Sequence, residues 1–268
     1  MSDIYEFIFM SNRPIDDRIT LLMPVKFGHI PIGKLADENT FLALPANKAD
    51  LARFLSEQLT AQAPDTKTIV VAGGFRNEEK VESSNPEVDT DKLAARQEEA
   101  DTRLIFHCVE NQAGNIVVQA SDTDVLVVLL ANFHRMQCTK LWLKAGTAKE
   151  RKYIPIHTIV DQMLYGPTVL GTILAFHALT GSDTTSYISG HSKKTAWMVF
   201  QEHHELLQNL GKGELTDEIA KDAEQFVCRV YKVQNVNTVD EARPILFIKS
   251  HAPESLPPTS DALSFHTK

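Results

Sequence analysis

The feature that most constrains the fold is a set of short, β-branched apolar segments separated by stretches with helical spacing. Residues 68–71, 115–120 and 140–143 have the length and composition of buried strands. Apolar residues fall at helical spacing over residues 48–61 and from about 90 to 109. This alternation is typical of parallel α/β units, so we predict an α/β fold with a parallel sheet flanked by helices.

The rest of the chain sets the expected domain organisation. Residues 1–45 contain a strand-like run at 4–10, followed by four prolines that interrupt any regular spacing of apolar residues. This segment is therefore expected to be irregular. Residues 46–212 form the predicted main domain, in which the polar stretch 73–91 reads as a solvated loop. Residues 213–268 are expected to be a helical extension and tail. Helical spacing over 156–164, 168–179, 193–209 and 216–231 makes the C-terminal part α-rich.

Charge and cysteine usage exclude several classes of protein. With 27 Lys and Arg against 35 Asp and Glu, the net charge is −8, so any nucleic acid must bind at a local site rather than by bulk charge. The apolar runs are far shorter than the roughly 20 residues that span a bilayer, so no membrane contact is expected. Three widely spaced cysteines and no secretory leader favour an intracellular location, nuclear or cytoplasmic.

The first of three acidic clusters lies near the start of a predicted helix. Glu98 and Asp101 share one face of that helix by spacing, whereas Glu99 points elsewhere unless it lies in the first turn. The alternative is that these acidic residues are there because the helix dipole favours negative charge at its N-terminus.

The second cluster follows the predicted strand at 115–120 directly. Asp122 and Asp124 lie at the carboxyl end of that strand, which is where open α/β sheets bind ligands. In an extended chain, a spacing of two directs both side chains to one side. The alternative is that Ser121 or Asp122 caps the following helix.

The third cluster is Gly181-Ser182-Asp183, at the end of the apolar helix predicted over 168–179. Gly181 is a natural stop for that helix. The alternative is a helix C-cap and turn in which Asp183 bonds its own backbone. Considered together, the three clusters predict a shared site for a hard divalent cation such as Mg²⁺, because gathered carboxylates need a cation to offset their repulsion. Two such ions would stabilise the attacking and leaving oxygens of a phosphodiester.

These motifs resemble, in order and spacing, the acidic motifs of the PIN-like and flap-endonuclease superfamily of 5′-nucleases, over residues 67–210. The resemblance implies a PIN-like fold and a site that binds Mg²⁺ or Mn²⁺. Asp122, Asp124 and Asp183 would be catalytic, and the metal ligands would be Glu99, Asp101, Asp122, Asp124 and Asp183. Since helical spacing favours Glu98 over Glu99, Glu98 is kept as a reserve ligand.

Residues 188–196 resemble the helix-turn-helix loop with which flap endonucleases hold duplex phosphates. Lys193 and Lys194, with backbone N–H groups before a helix, would bind a phosphate. The family loop has a second glycine where this chain has Ser192. The alternative is a surface lysine pair that opens an amphipathic helix with Trp197, Val199 and Phe200 buried.

One departure from the superfamily pattern concerns the N-terminal half of the site. Superfamily enzymes contribute a further Asp from their first strand, whereas residues 4–10 run into Ser11-Asn12 here. This predicts an incomplete copy of a longer protein. The blocks 98–103, 122–125 and 177–186 also resemble multi-copy, mobile-element-associated proteins of animal genomes, a likeness that supplies no activity.

Two functions of different classes follow from these observations. The first is a divalent-metal-dependent nuclease that hydrolyses phosphodiester bonds in DNA or RNA. The alternative is a catalytically inactive PIN-like relic that serves as an interaction or scaffolding module.

Overall fold

The structure, a computed structural model, describes residues 4–8, 43–65, 67–94, 100–110, 113–120, 122–146, 150–162, 166–182, 185–250 and 253–267. The strands are β1 (Ile4–Ile8), β2 (Val70–Ala72), β3 (Val81–Ser83), β4 (Asn115–Gln119), β5 (Lys140–Gly146) and β6 (Arg151–Pro155). The helices are α1 (Pro45–Ala61), α2 (Ala100–Glu110), α3 (Thr123–Asn132), α4 (Ile156–Gln162), α5 (Gly166–Leu179), α6 (Lys193–His203), α7 (Asp217–Val230), α8 (Val239–Ser250) and α9 (Ser260–Thr267).

The chain divides into two compact units. The smaller unit comprises Ile8–Gln112, and the larger unit comprises Met1–Phe7 together with Ala113–Lys268. The predicted domain boundaries at residues 45 and 212 stay predictions. None of the described helices has the length and hydrophobicity that a bilayer crossing requires.

The sheet of the larger unit has four strands in the order β1-β4-β5-β6. β4 and β5 are parallel, with Ile116 opposite Leu141, and β5 and β6 are antiparallel, with Leu143 opposite Ile154. Ile116 and Leu141 are fully buried, as expected for a strand pair covered on its faces. The α/β class is thus confirmed as a mixed α/β fold with a parallel pair.

The antiparallel strand β6 departs from the prediction of a parallel sheet. Gly146 ends β5 with a φ of +93°, and a side chain there would collide with the carbonyl oxygen of Glu150. The chain therefore returns alongside β5, and the helical pattern begins only at α4. Gly146 permits this return, and this is the physical reason why β6 forms although its sequence has no strong strand pattern.

The C-terminal part of the larger unit is α-rich, as predicted. Phe176 of α5, Phe200 of α6 and Phe226 of α7 meet in one core, with ring centroids of Phe176 and Phe200 4.7 Å apart and of Phe176 and Phe226 6.3 Å apart. Trp197 packs on Phe176 at 5.4 Å. This aromatic core fixes the end of α5 against the middle of α6.

In the smaller unit, the segment predicted as a buried strand forms half of a hairpin. β2 pairs antiparallel with β3, which lies within the stretch expected to be a loop, and β2 is only half-buried. Ser56 of α1 donates a hydrogen bond to the carbonyl oxygen of Gly73 at 3.0 Å. Gly74 has a φ of +77°, and a Cβ there would lie 2.9 Å from the carbonyl oxygen of Ala52. Only glycine allows this close approach of the hairpin to α1.

The helix predicted from about 90 to 109 is shorter in the structure. Asp91–Leu93 is a single 3₁₀ turn, and α2 covers Ala100–Glu110. Residues 95–99 lie outside the described residues. Leu104, Ile105 and Cys108 of α2 are buried, so the apolar face that predicted the helix is confirmed.

Candidate functional site

Asp122 and Asp124 lie where β4 gives way to α3. Asp122 has an extended backbone, with φ −81° and ψ 136°, and its Oδ1 accepts the backbone N–H of Asp124 at 2.9 Å. Asp122 is therefore the N-cap of α3, the alternative considered for this cluster. Asp124 is the second residue of the helix, so the extended chain assumed for this cluster ends at Asp122. That the two carboxylates face one side stays a prediction. The hydrogen bond of the cap joins the Asp122 carboxylate to the backbone of Asp124.

Asp124 begins a chain of hydrogen bonds that links three helices. Its Oδ1 accepts a hydrogen bond from Nε2 of His177, on α5, at 2.9 Å. The other ring nitrogen, Nδ1, lies 2.8 Å from Nζ of Lys193, the first residue of α6. Lys193 also donates to the carbonyl oxygen of Gly181, just beyond α5. Side chains from the second acidic cluster and from the predicted phosphate loop thus share one network.

The partners at each ring nitrogen define the tautomer of His177. A carboxylate only accepts hydrogen bonds and a lysine ammonium only donates them. The proton is therefore assigned to Nε2, facing Asp124, and Nδ1 accepts from Lys193. The side chains of His177 and Asp124 are 12% and 23% exposed, so both are largely shielded from water.

Lys193 carries its charge in a partly desolvated place. Although the residue is exposed overall, its ammonium end lies against α5 through His177 and Gly181. Burial lowers the pKa of Lys193 below its ordinary value, and the nearby Asp124 carboxylate opposes that shift. Two of the three ammonium donors serve these internal acceptors, so the group is held in one position.

The neighbouring predictions for α6 are met in part. Ser192 caps the helix by accepting the backbone N–H of Thr195 at 3.3 Å. Phe200 is fully buried and Trp197 packs against the core, which confirms the amphipathic helix offered as the alternative. Lys194 is exposed at the first turn of the helix. The binding of phosphate by Lys193 and Lys194 stays a prediction.

At the third cluster, Gly181 ends α5 with a φ of +107°, which confirms the expected glycine stop. A Cβ at Gly181 would lie 2.9 Å from Cα of Tyr187, so the following loop folds directly onto this glycine. Thr185 donates to the carbonyl oxygen of Ala178 at 2.8 Å and accepts from the backbone N–H of Ser182 at 2.8 Å. Asp183 lies outside the described residues.

The first cluster belongs to the smaller unit. Glu98 and Glu99 lie outside the described residues, and Asp101 is half-buried in the first turn of α2. Arg103, two residues further, is 6% exposed and donates to the carbonyl oxygen of Glu78 at 2.8 Å. Burial lowers the pKa of Arg103, and the Glu78 charge opposes the shift. Since Asp101 lies in a different unit from Asp122 and Asp124, its predicted place beside them stays a prediction.

The described residues of the larger unit contain only two members of the predicted ligand set, Asp122 and Asp124. Within all the described residues, no group of three or more His, Cys, Asp or Glu is placed to hold a metal ion. Asp122 and Asp124 supply hard carboxylate oxygens of the kind that Mg²⁺ and Mn²⁺ take. The other predicted ligands are Asp183, Glu98 and Glu99, outside the described part, and Asp101 in the smaller unit.

Sequence reasoning missed His177, which joins the carboxylate to the lysine. The residue lies one helical turn before Gly181, on a helix that is otherwise almost entirely apolar. A polar, titratable residue one turn before a Gly-x-Asp motif is the signal that could have marked it.

In comparisons with known proteins, no protein-family model matches the chain, no curated protein matches it and no solved structure matches it. The resemblance to PIN-like nucleases therefore stays a prediction that rests on the motifs alone.

Proposed function

We propose that the chain is a divalent-metal-dependent nuclease of PIN-like type, acting on phosphodiester bonds in DNA or RNA. The observation that carries this proposal is the network from Asp124 through His177 to Lys193. It joins a predicted metal ligand to a predicted phosphate ligand at the carboxyl end of β4. That end of a strand is where α/β folds place their ligands.

In this proposal, Asp122 and Asp124 would hold Mg²⁺ or Mn²⁺, with Asp183, Asp101 and either Glu98 or Glu99 completing the ligand set. The donor chemistry fits, because each is a carboxylate and both cations prefer hard oxygen ligands. A bound dication supplies a hydroxide from water and charge stabilisation for the departing oxygen.

The protein's own side chains position the reacting groups. His177 donates to Asp124 from Nε2 and so fixes the direction of that carboxylate. Lys193 uses two donors on His177 and Gly181, and its third donor serves a phosphate oxygen of the substrate. Partial burial of the ammonium strengthens that charge interaction, because fewer waters screen it.

The same network favours the second candidate function, an inactive PIN-like module that binds partners. His177 already donates a hydrogen bond to Asp124, and the nearby Lys193 ammonium places a positive charge on the far side of that ring. A carboxylate compensated in this way does not require a cation for stability. The two candidates differ in whether a metal changes the behaviour of the protein.

A cleavage assay distinguishes the two candidates. Purified protein with Mn²⁺ is incubated with end-labelled 5′-flap and single-stranded substrates, as wild type and as Asp122→Asn and Asp124→Asn. Asparagine keeps the N-cap at position 122 and an acceptor for His177 at position 124, so both variants should fold. We expect each to lose cleavage by about 100-fold or more.

The matched control is Asp161→Asn, an exposed carboxylate on α4. It should cleave like wild type. If wild type cleaves neither substrate at any Mn²⁺ or Mg²⁺ concentration, and Mg²⁺ leaves its unfolding midpoint unchanged, the nuclease proposal fails and the second candidate stands.

A further inference from the structure

The loop between α5 and α6 holds an exposed aromatic side chain on a fixed backbone. Tyr187 is 79% exposed, yet the next residue, Ile188, is 7% exposed and belongs to the core. Ser189 donates to the carbonyl oxygen of Glu254 at 2.7 Å, and its own carbonyl oxygen accepts from Tyr231 at 2.8 Å. The backbone beside Tyr187 is therefore anchored, while its ring is presented to solvent.

The same loop lies next to the positioned ammonium group. Tyr187 packs its Cα and Cβ on Gly181, at 2.9 and 3.0 Å from the ideal Cβ position of that glycine. Lys193 donates to the carbonyl oxygen of Gly181. Since both contact one residue, Cα of Tyr187 and Nζ of Lys193 lie within about 9 Å of each other. One nucleotide can bridge such a distance.

We infer that Tyr187 and Lys193 form a subsite for one unpaired nucleotide, with the base stacked on the Tyr187 ring and its phosphate on the Lys193 ammonium. The inference rests on the proposed function and narrows its substrate to a single strand. A base inside a duplex is already stacked between its neighbours, so only an unpaired base has a free face for the tyrosine.

The charge of the protein agrees with this mode of binding. With a net charge of −8, the chain repels a polyanion overall and must gain affinity from local contacts. Stacking on an aromatic ring is such a contact, since it needs no excess of positive charge and accepts every base. Two phosphates held by Lys193 and Lys194 would release about two counterions, which gives a shallow salt dependence with a slope of about −1.4.

The test is a binding measurement in EDTA, so that it does not depend on metal or cleavage. Fluorescein-labelled dT12, U12 and a 12-base-pair duplex are titrated with wild type, Tyr187→Ala and Tyr187→Trp, and anisotropy is recorded. Loss of the ring should weaken binding to dT12 and U12 about tenfold, and Trp should restore it. Duplex binding should not change with either substitution.

Phe265→Ala is the matched control, because Phe265 on α9 is 77% exposed but belongs to another surface element. It should bind dT12 within twofold of wild type, and the unfolding midpoints of all variants should agree. The inference is overturned if wild type binds neither dT12 nor U12, if Tyr187→Ala binds as wild type does, or if Phe265→Ala loses as much affinity. Tyr187-dependent binding without Mn²⁺-dependent cleavage would refute the nuclease proposal and leave this inference standing.

Discussion

At the scale of single residues, Gly181 combines two constraints. Its φ of +107° is unfavourable for any residue with a side chain, and a Cβ would lie 2.9 Å from Cα of Tyr187. Gly181→Ala should therefore reduce the free energy of unfolding by about 2–3 kcal/mol. Gly190→Ala is the control: its φ is +72°, but nothing lies within 4 Å of its ideal Cβ, so only about 1 kcal/mol should be lost. Urea unfolding curves measure both, and equal losses would refute the close approach.

Two of the three cysteines, Cys138 and Cys228, should differ in their reactivity toward thiol reagents. Cys228 is 2% exposed, and burial raises its pKa to about 11, with Glu224 adding to the shift. Burial also raises the pKa of Cys138, but this residue is partly exposed. Since the thiolate is the reactive form, a disulfide reagent at pH 8 should modify Cys138 in the native protein and spare Cys228 until the chain unfolds.

Cysteine-to-serine substitution at position 138 provides the control for that experiment. It should abolish most of the native-state labelling and leave two reactive thiols in denaturant. Labelling of Cys228 as fast as that of Cys138 in the native protein would contradict the burial of the α7 face.

At the scale of secondary-structure elements, one carboxylate joins three helices. Glu224 of α7 accepts the backbone N–H of Val239, at the start of α8, at 2.7 Å and the hydroxyl of Ser260, at the start of α9, at 2.7 Å. Val239 is fully buried, so without Glu224 its backbone N–H would have neither a protein acceptor nor water to bond to. Glu224→Ala should cost about 2–3 kcal/mol of unfolding free energy.

The control is Glu241→Ala, at the start of the same helix α8. Its Oε2 accepts the backbone N–H of the exposed Asn237 at 2.8 Å, which water can replace. We expect a loss of less than about 1 kcal/mol there. Both effects are measured by urea unfolding followed by tryptophan fluorescence, and a larger loss for Glu241→Ala would mean that Glu224 does not hold the three helices together.

Some of the strands and helices could be predicted from the sequence, and others could not. β4, β5 and the helices α4 to α7 follow from the apolar pattern, because each buries apolar side chains in the core. The helix α3 was considered only in the alternative that Ser121 or Asp122 caps a helix. The return of β6 was not predicted, since it depends on Gly146 allowing a close backbone contact that spacing does not encode. The β2–β3 hairpin was not predicted either, and its packing on α1 depends in the same way on Gly74. At the candidate site, the position of Asp122 and Asp124 after β4 was predicted. The role of His177 was not, because its contact with Asp124 joins residues 53 positions apart.

At the scale of the whole molecule, the two units should respond differently to acid. His107 lies in the smaller unit, where burial, with a lesser contribution from Arg103, lowers its pKa from 6.5 to about 4. Between pH 6.5 and 4 the unfolded chain takes up a proton that the folded chain does not. The smaller unit should thus lose stability as the pH falls through this range, by up to about 3 kcal/mol.

The positions of the two tryptophans make this difference measurable. Trp142 and Trp197 both lie in the larger unit, whereas α1 and α2 lie in the smaller one. On titration from pH 7 to 4, we expect far-UV circular dichroism to report loss of helix before tryptophan fluorescence changes. His191 in the larger unit also has a lowered pKa, from burial first and Lys232 second, but it is only half-buried and its effect should be weaker.

Substitution of His107 isolates its contribution from that of the many carboxylates. His107→Gln stays neutral throughout, so the pH dependence of the circular dichroism signal should flatten between pH 6.5 and 4 while the fluorescence titration is unchanged. The control His134→Gln, at an exposed position after α3, should show the same acid transition in circular dichroism as wild type. If the two signals change together in wild type, the units do not lose structure separately. If the acid transition is unaltered in His107→Gln, His107 is not the group whose protonation destabilises the smaller unit.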